Sequence, residues 1–409
     1  MTAHRPVSGG RSGPVDVCVA GGGPAGAVAA LVLARAGRRV ELLDDGGQGR
    51  GHRCAAASGP AVKAGEVKAG EVKAGEVKIG EFLPPAARPL LSELGLLDGF
   101  LAAGHPISTG TYAAWGSTAL HGRSHLFDPY GHGWHLDRLR FDAFLREAAV
   151  AAGARLRRAA VLDQHGDRLI VREQPTGVTT ELSARWMVDA TGRRCVIGRR
   201  HGHRQRQDRL VAAYTVFPSR PMDDPADAEA RTLVEATARG WWYTTRIPAG
   251  RLVVHLTDAD LADPSLRNSH GFWHALSRTV HVRQRLSGHG PAATPLPRWA
   301  PAHGLRLTPA AGPGWVAAGD AALAFDPLSS QGILTALHTG AHAGRAVTGC
   351  LADEGHTTAA LADYTAFLDG IAAAYQRNHA YAYSQERRWP LSPFWRRRRT
   401  GGTPLFGIG

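Results

Sequence analysis

The chain has 409 residues, 44% hydrophobic and 20% charged, which fits a globular protein of two domains or one large composite domain. Its net charge of +13 would suit nucleic acid, an acidic protein or an anionic cofactor, and a solvated arginine-rich surface is the alternative. It contains no apolar run that would span a bilayer, no N-terminal signal-like segment and no nucleic-acid-binding motif. Its four cysteines are too dispersed for a zinc site or disulfide framework, which favours a cytoplasmic protein.

Residues 15–45 carry the first motif. VDVCVA (15–20) predicts a strand, AVAALVLARAG a helix and RRVELLDD a second strand. Gly21, Gly23 and Gly26 fit G-x-G-x-x-G, whose glycines permit a tight turn, close approach of a pyrophosphate and close helix–strand packing. Asp44 lies about 20 residues further on, where a carboxylate binds ribose hydroxyls, and Asp45 is the alternative. The order of these elements predicts a dinucleotide-binding unit.

A five-residue word, Val-Lys-Ala-Gly-Glu, occurs three times over residues 62–76 and is followed by Val-Lys-Ile-Gly-Glu at 77–81. Every lysine of the chain lies in this tract. So short a unit in so few copies cannot bury a core as a solenoid does, and its regular glycines and charges predict a solvated, flexible insertion. A lid over the cofactor is the alternative.

Two later segments predict strands that end in ligand-binding turns. WMVDATG (186–192) ends in Asp-Ala-Thr-Gly, and the strand from residue 314 ends in Gly319-Asp320. A carboxylate at the carboxyl edge of an α/β sheet lies where such sheets bind ligands, although Asp320 would also suit a plain turn. A long helix then opens near Ser329–Gly332, where free N–H groups would stabilise negative charge and the serines would also cap the helix.

These motifs, in this order, resemble FAD-dependent monooxygenases with the para-hydroxybenzoate hydroxylase type of fold. Five further segments narrow the resemblance to halogenase-like flavoproteins, which include the tryptophan halogenases. The same five segments are more closely similar to those of LodB/QhpG-type flavoproteins, which hydroxylate tryptophan in a partner protein during quinone-cofactor maturation. The segments are KIGEFLPPAARPLLSELGL (78–96), YAAWGS (112–117), DPYGHGWHLDRLRFDAFLREAA (128–149), GWWYTTRIP (240–248) and ERRWPLSPFWRRR (386–398).

The resemblance implies an α/β fold, with a Rossmann-type FAD-binding domain, an inserted, mostly antiparallel substrate domain and a helical C-terminus. The expected ranges are 14–105, 131–205 and 306–350 for the FAD domain, 106–130 and 206–305 for the substrate domain, and 351–409 for the C-terminal segment, with 62–76 as the repeat insertion. The family has one K-x-G-E-x-L-P-P segment near its flavin, and Lys78–Pro85 provides it here. The three preceding words therefore read as tandem duplications.

Deletion of residues 62–76 is accordingly expected to leave FAD content and activity nearly unchanged, measured by flavin absorbance and turnover. Loss of bound flavin on deletion would contradict the insertion hypothesis and favour the lid.

Site residues are carried over from the family by motif match. The FAD contacts implied are Gly21, Gly23, Ala25, Gly26, Asp44, Arg138, Asp320, Pro327, Gly332 and Ile333. The catalytic candidates are Glu81, from the family segment, and His132 and Trp134, because YGHGW is glycine-flanked and adjoins a predicted helix. Further aromatic candidates are Tyr112, Trp115, Trp241 and Trp242, and ordinary packing is the alternative for each. Arg138 is also spaced for a salt bridge with Asp142 on the same helix. His132 and His135 lack a third ligand, so no metal site is predicted.

Two departures from the halogenases favour oxygenation. Halogenases use a catalytic lysine before a tryptophan-containing strand, whereas the corresponding stretch, residues 108–117, offers only Thr109, Thr111 or Tyr112. Their W-x-W-x-I-P signature is also changed, with Tyr243 and Thr245 at the two tryptophan positions. The resemblance then implies hydroxylation of an aromatic, indole-like substrate through a C4a-hydroperoxyflavin formed from reduced FAD and O2.

The substrate is expected to be an aromatic small molecule or a tryptophan-bearing peptide or protein. NAD(P)H or a partner flavin reductase would supply electrons, because no second G-x-G-x-x-G motif follows a strand. Two other functions stay open: a flavin-dependent halogenase, which a halide-dependent mass gain would reveal, and a non-catalytic binding subunit, which would show no flavin-dependent oxygen uptake.

Overall fold

The computed structural model describes residues 15–46, 79–219 and 229–399. The repeat words at 62–76 and all four lysines lie outside this range. The strands are β1 Val15–Ala20, β2 Val40–Asp44, β3 Phe82–Leu83, β4 Ile107–Ser108, β5 Gly110–Ala114, β6 His121–Ser124, β7 Gly133–His135, β8 Arg155–His165, β9 Arg168–Glu173, β10 Thr179–Asp189, β11 His203–Arg206, β12 Leu210–Phe217, β13 Thr232–Thr237, β14 Gly240–Ile247, β15 Gly250–Asp258, β16 Arg298–Pro301, β17 Leu305–Thr308, β18 Ala311–Gly312, β19 Trp315–Ala317 and β20 Leu323–Ala324. The helices are α1 Pro24–Arg35, α2 Ala87–Glu93, α3 Leu97–Ala102, α4 Arg138–Ala151, α5 Ser269–Leu276, α6 His281–Gln284, α7 Gly332–Ala352, α8 Thr357–Ser384 and α9 Pro393–Arg399.

The first sheet is built on parallel strands in the order β8–β2–β1–β10–β19. The far halves of β8 and β10 extend beyond this core and are bridged by the antiparallel strand β9. Strand β1 and its neighbours are buried apolar runs, because helices cover both faces of a parallel sheet. This arrangement brings the carboxyl ends of β1, β2, β10 and β19 to one edge of the sheet.

Helices α1 and α7 pack so closely that their contact needs glycine. A Cβ at Gly340 would lie 2.2 Å from the Ala25 carbonyl oxygen, and one at Gly344 would lie 2.9 Å from the Val32 Cβ. Both distances are too short for any side chain, so the small residues of α7 fix how near the two helices approach. As a result, the N-termini of both helices reach the same edge of the first sheet.

The second sheet has seven strands in the order β16–β12–β15–β14–β13–β5–β6, with every pair antiparallel except β13 and β5. Alternation of side chains along β14 divides its tryptophans between two hydrophobic clusters. Trp241 joins a cluster with Tyr383, Phe394 and Trp395, whereas Trp242 joins Phe272 on the opposite face. We call these the proximal and distal faces of the sheet.

The C-terminal segment is helical, and its arginine run is folded against the second sheet. Phe394 and Trp395 in α9 are fully buried. Arg398 contacts Asp258 at 2.7 Å, and Arg397 contacts Asp258 at 2.8 Å and Asp260 at 2.6 Å. From the sequence alone, FWRRRR (394–399) predicts a solvated terminal charge run, and Pro390 and Pro393 predict the end of helical structure. Both predictions are wrong, because the run is folded and Pro393 begins a helix. The predicted α/β class, with its antiparallel second sheet and helical C-terminus, is confirmed.

Candidate functional site

The glycine turn joins β1 to α1 at the carboxyl edge of the first sheet. Gly21 has a φ of +107°, and a Cβ there would lie 2.3 Å from the Ala190 carbonyl oxygen. A Cβ at Gly26 would lie 1.8 Å from the Gly21 carbonyl oxygen. Gly23, by contrast, has an extended backbone and open space where a Cβ would point. The turn therefore leaves a cradle in front of Gly23 and the N-terminus of α1, where no side chain caps the helix.

Asp44 ends β2 beside this cradle. Its carboxylate lies 3.6 Å from the Arg146 Nε, and the Arg146 guanidinium also donates to the Gly22 carbonyl oxygen at 3.1 Å. Arg146 thus fixes the predicted ribose-binding carboxylate against the glycine turn. Arg146 was not predicted from the sequence, where its only signal is a basic residue on the helix after the glycine-flanked YGHGW.

Two further turns complete this edge. Asp189 is fully buried and accepts hydrogen bonds from the Ile197 and Gly198 N–H groups, both at 2.8 Å, so it closes its own turn. Gly319 has a φ of +60°, and Asp320 after it keeps 40% of its side chain exposed while pairing with the Arg193 Nε at 3.4 Å. The structure therefore places Asp320 at the surface of the site, where its carboxylate can reach a ligand.

The loop from Asp326 to Gly332 leads into α7. Asp326 is fully buried and accepts hydrogen bonds from the Tyr383 hydroxyl at 2.7 Å and the Leu328 N–H at 2.9 Å. Pro327 and Gly332 are exposed, whereas Ile333 is 7% exposed and joins the core. A Cβ at Gly332 would meet no atom within 4 Å, and the helix has no side-chain cap. Helix α8 therefore holds this loop from behind, and its front presents free N–H groups.

These features fit a flavin dinucleotide. Two uncapped helix N-termini, at Gly23 and Gly332, open onto the same sheet edge as the carboxylates of Asp44 and Asp320. Helix N-termini favour the negative charge of a pyrophosphate and of a reduced flavin ring, and carboxylates bind sugar hydroxyls. Of the other predicted contacts, Ala25 lies in the α1–α7 packing, with its Cβ 2.8 Å from the position of a Cβ on Gly319.

The end of the fourth repeat copy is anchored by Arg138. Its guanidinium donates to the Gly80 carbonyl oxygen at 2.7 Å and to the Ile79 carbonyl oxygen at 3.3 Å, and also pairs with Asp142 at 3.2 Å. The predicted salt bridge between Arg138 and Asp142 is therefore present. Arg138 also holds the Gly80–Glu81 backbone against the start of α4.

Glu81 is 6% exposed and accepts a hydrogen bond from the Gly80 N–H at 2.9 Å. Burial raises the pKa of its carboxyl above the usual value, although backbone N–H groups, the Arg138 charge and the Tyr243 hydroxyl oppose the shift. Tyr243, at the first changed position of the tryptophan signature, therefore lies directly beside the predicted catalytic carboxyl.

Replacement of Glu81 with glutamine is expected to change how stability depends on pH. Because the folded-state pKa is raised, the wild-type carboxyl contributes stability that is fully present below its usual pKa and is lost as pH rises through the raised value. The glutamine cannot ionise, so the unfolding free energy of E81Q should increase relative to wild type through this window. Denaturant titrations at several pH values measure it, and a relative decrease would contradict the burial argument.

Thr245, at the second changed position, belongs to a row of hydroxyls on the proximal face. The Thr232 hydroxyl donates to the Thr245 Oγ1 at 3.2 Å, and Thr111 is the register partner of Thr232 on β5. Thr245 contacts the His135 Nδ1 at 3.3 Å, and the His135 Nε2 donates to the Ala230 carbonyl oxygen at 2.8 Å. Burial lowers the pKa of His135 to about 4, so the ring is neutral at neutral pH.

The remaining candidates have other surroundings. His132 is half-buried, and its Nδ1 lies 3.1 Å from the Gly133 carbonyl oxygen. Trp134 is 2% exposed and packs edge-on against Phe100, so its ring offers little surface to a substrate. Trp115 and Trp241 belong to the proximal aromatic cluster, while Tyr112 and Trp242 lie on the distal face. Sequence reasoning could not assign these faces because the strand register was unknown.

Within residues 15–46, 79–219 and 229–399, no three histidine, cysteine or acidic side chains are grouped to hold a metal ion. In the same ranges, no helix combines the length and apolar character that crossing a bilayer requires.

Comparison with known proteins identifies the family and the fold of the chain. The tryptophan halogenase family model matches residues 115–405. The chain is 27% identical to the FAD-dependent oxidoreductase LodB of Marinomonas mediterranea over 94% of its length and 96% of LodB. The myxobacterial chondrochloren halogenase CndH has a TM-score of 0.77 at 24% identity, covering 94% of this chain and 85% of CndH.

The peptidyl tryptophan dihydroxylase QhpG, which is essential for tryptophylquinone cofactor biogenesis, has a TM-score of 0.72 at 22% identity, covering 97% of this chain and 81% of QhpG. At these identities both solved structures establish the shared fold. The resemblance inferred from the sequence motifs is thereby confirmed. The chain belongs to the tryptophan halogenase family and is an FAD-dependent flavoenzyme of its halogenase-like group, related to LodB and QhpG.

Proposed function

We propose that this flavoenzyme is a monooxygenase that hydroxylates an electron-rich, indole-like aromatic ring. The observation that carries the proposal is the proximal row Thr111, Thr232 and Thr245. Thr111 belongs to residues 108–117, the stretch where the family resemblance places a halogenating lysine, and the chain has no lysine beyond residue 78. A threonine hydroxyl cannot replace an ammonium group as a strong donor and positive charge beside a reactive halogen species.

Bound and reduced FAD would supply the activation of dioxygen. Gly23, Gly332 and the carboxylates of Asp44 and Asp320 would hold its phosphates, ring and sugar alcohols. The protein's own part is then to exclude water and to control protons at the reacting ring. Arg138 keeps the Gly80–Glu81 backbone in place, and burial raises the pKa of the Glu81 carboxyl above its usual value, the direction that suits a proton donor.

The proposed substrate is a tryptophan side chain on a peptide or protein. A small indole compound is the alternative substrate. The names of the tryptophan halogenase family and of QhpG support a tryptophan-like ring. NAD(P)H or a partner flavin reductase is proposed as the electron source. The sequence has no second G-x-G-x-x-G motif after a strand, which is compatible with transient binding of NAD(P)H and with a separate reductase.

The test supplies the FAD-loaded protein with a flavin reductase, NADH and a tryptophan-containing peptide, with and without bromide, and analyses the peptide by mass spectrometry. Hydroxylation that is independent of bromide, together with peptide-stimulated oxygen uptake, is the expected result. A brominated peptide, or oxygen uptake that the peptide never alters, would overturn the proposal.

The second candidate is halogenation, which family membership itself favours. The variant Tyr243→Trp/Thr245→Trp restores the two tryptophans of the signature and provides a matched comparison. On our proposal this double variant loses hydroxylation, because two indoles fill the space beside Glu81 and His135, and it gains no halogenation. Halogenation by the wild-type enzyme would establish the second candidate instead.

A further inference from the structure

A cavity of about 590 Å³ lies on the distal face of the second sheet. It is independent of the flavin edge, since Tyr243 and Thr245 project from the other face of the same strand. Its floor follows one register row across four strands. Ala114 pairs with Glu235, Glu235 with Trp242, and Trp242 with His255, so all four side chains point toward the cavity side.

The roof is one stripe of helix α5 and the turn after it. Gly271, His274, Ala275 and Arg278 have the i, i+3, i+4, i+7 spacing of residues on one helix face, and all four line the cavity. A helix packed on a sheet normally presents large apolar residues along such a stripe. Here the stripe has two very small residues and two basic ones, while Phe272 packs edge-on against Trp242 and Leu276 joins the same hydrophobic cluster. The space between helix and sheet is therefore built into the sequence.

One buried polar group of the floor lacks a partner. His255 is 6% exposed and stacks on Trp242, with ring centroids 4.4 Å apart at 21°. Its Nδ1 makes no hydrogen bond within the described part of the chain. Burial lowers the pKa of His255 to about 3, so the ring is neutral. An unpartnered, buried imidazole is costly, and a ligand that hydrogen-bonds to it would remove that cost.

The charges around the cavity are unbalanced. Glu235 is already used, because it accepts the Val280, His281 and Val282 N–H groups at 2.7–2.9 Å at the start of α6. Asp263 accepts the Ser265 N–H at 2.9 Å and lies 3.9 Å from Arg239. Across residues 15–46, 79–219 and 229–399, the Arg278 guanidinium has no ion pair or hydrogen bond. The positive charge available to a ligand therefore lies at Arg278, beside the roof.

We propose that this cavity binds a small planar aromatic carboxylate, with its ring between the Trp242–His255 row and the α5 stripe and its carboxylate at Arg278. The cavity lies between the sheet and the helix stripe, and Ala114, Ala275 and Leu266 give it an apolar lining. An arginine recognises a carboxylate in a planar, bidentate way, which suits an anion at the rim of such a slot. A ligand in contact with Trp242 would lie against the distal face of β14, the strand whose neighbouring residues Trp241 and Tyr243 face the proximal side.

The test uses naphthoate as the probe and measures its binding to the full-length, FAD-loaded protein by calorimetry. The variants are Ala275→Trp, which fills the cavity, and Arg278→Ala, which removes the cation. Their matched controls are Ala359→Trp on the exposed side of α8 and Arg168→Ala on β9. FAD content and thermal unfolding show that each variant is folded.

Wild type and both controls are expected to bind naphthoate equally, and both test variants to bind at least about tenfold more weakly. Naphthalene methanol, which has the ring without the charge, should also bind at least about tenfold more weakly than naphthoate. The proposal is overturned if wild type does not bind naphthoate, if Ala275→Trp or Arg278→Ala binds it as wild type does, or if the uncharged compound binds as tightly.

Discussion

Replacement of Gly23 with valine is expected to remove bound FAD while leaving the fold intact. Gly23 has φ −75° and ψ −176°, an extended conformation that valine adopts readily, and a Cβ there meets no protein atom within 4 Å. The isopropyl group would therefore occupy the cradle in front of the α1 N-terminus, where a pyrophosphate must approach the backbone. We expect FAD to bind at least about tenfold more weakly, measured by flavin fluorescence titration.

The unfolding free energy of apo G23V should fall by no more than about 1 kcal/mol, the scale of a changed helix cap. Gly26→Val is the matched control, because its Cβ would lie 1.8 Å from the Gly21 carbonyl oxygen and the backbone would have to move. That variant should lose more than about 3 kcal/mol and its FAD together. Normal FAD affinity in G23V would show that the dinucleotide lies elsewhere.

A large loss of stability is also expected from Asp258→Asn. The Asp258 side chain is 2% exposed and contacts Arg398, whose side chain is 6% exposed. The amide has nearly the same shape but no charge, so a buried guanidinium loses its counter-ion. Breaking one partner of a buried pair costs about 3–5 kcal/mol. Because Arg398 also packs against Phe394 and Tyr383, the loss should detach α9 from the proximal cluster.

Glu181→Gln is the matched control for Asp258→Asn. Glu181 pairs with Arg168 at 2.7 Å, but both side chains are more than half exposed. Exposed ion pairs contribute about 1 kcal/mol or less, so this isosteric change should be nearly silent in chemical denaturation. Equal effects of the two substitutions would mean that the arginine run is held only weakly, as a solvated tail would be.

The parts of the fold that local spacing determines were predictable from the sequence. The glycine turn, the strand ending at Asp44 and the helix opening at Gly332 each depend on residues within one short segment, and the structure has all three elements. The positive φ at Gly21 and the close backbone contacts at Gly21 and Gly26 require glycine, because a Cβ at either position would clash with a carbonyl oxygen.

The contacts that depend on distant segments were not predictable. Arg146 lies 102 residues after Asp44 in sequence, and Asp258 lies 140 residues before Arg398. The face of the second sheet on which each aromatic candidate lies depends on strand register, since Trp241 on the proximal face and Trp242 on the distal face are adjacent residues. No pattern in GWWYTTRIP shows which face meets the cofactor-binding domain, so the Tyr243–Glu81 contact and the distal cavity emerged only from the structure.

On the proposed function, the two changed signature positions and the lysine missing from residues 108–117 distinguish this family member as an oxygenase. The most direct measurement follows isotopically labelled dioxygen into a tryptophan-containing peptide, using FAD-loaded protein, reduced flavin and excess bromide. Our account predicts labelled oxygen on the indole ring and no bromine. Bromine on the ring, or an unlabelled hydroxyl derived from water, would contradict it.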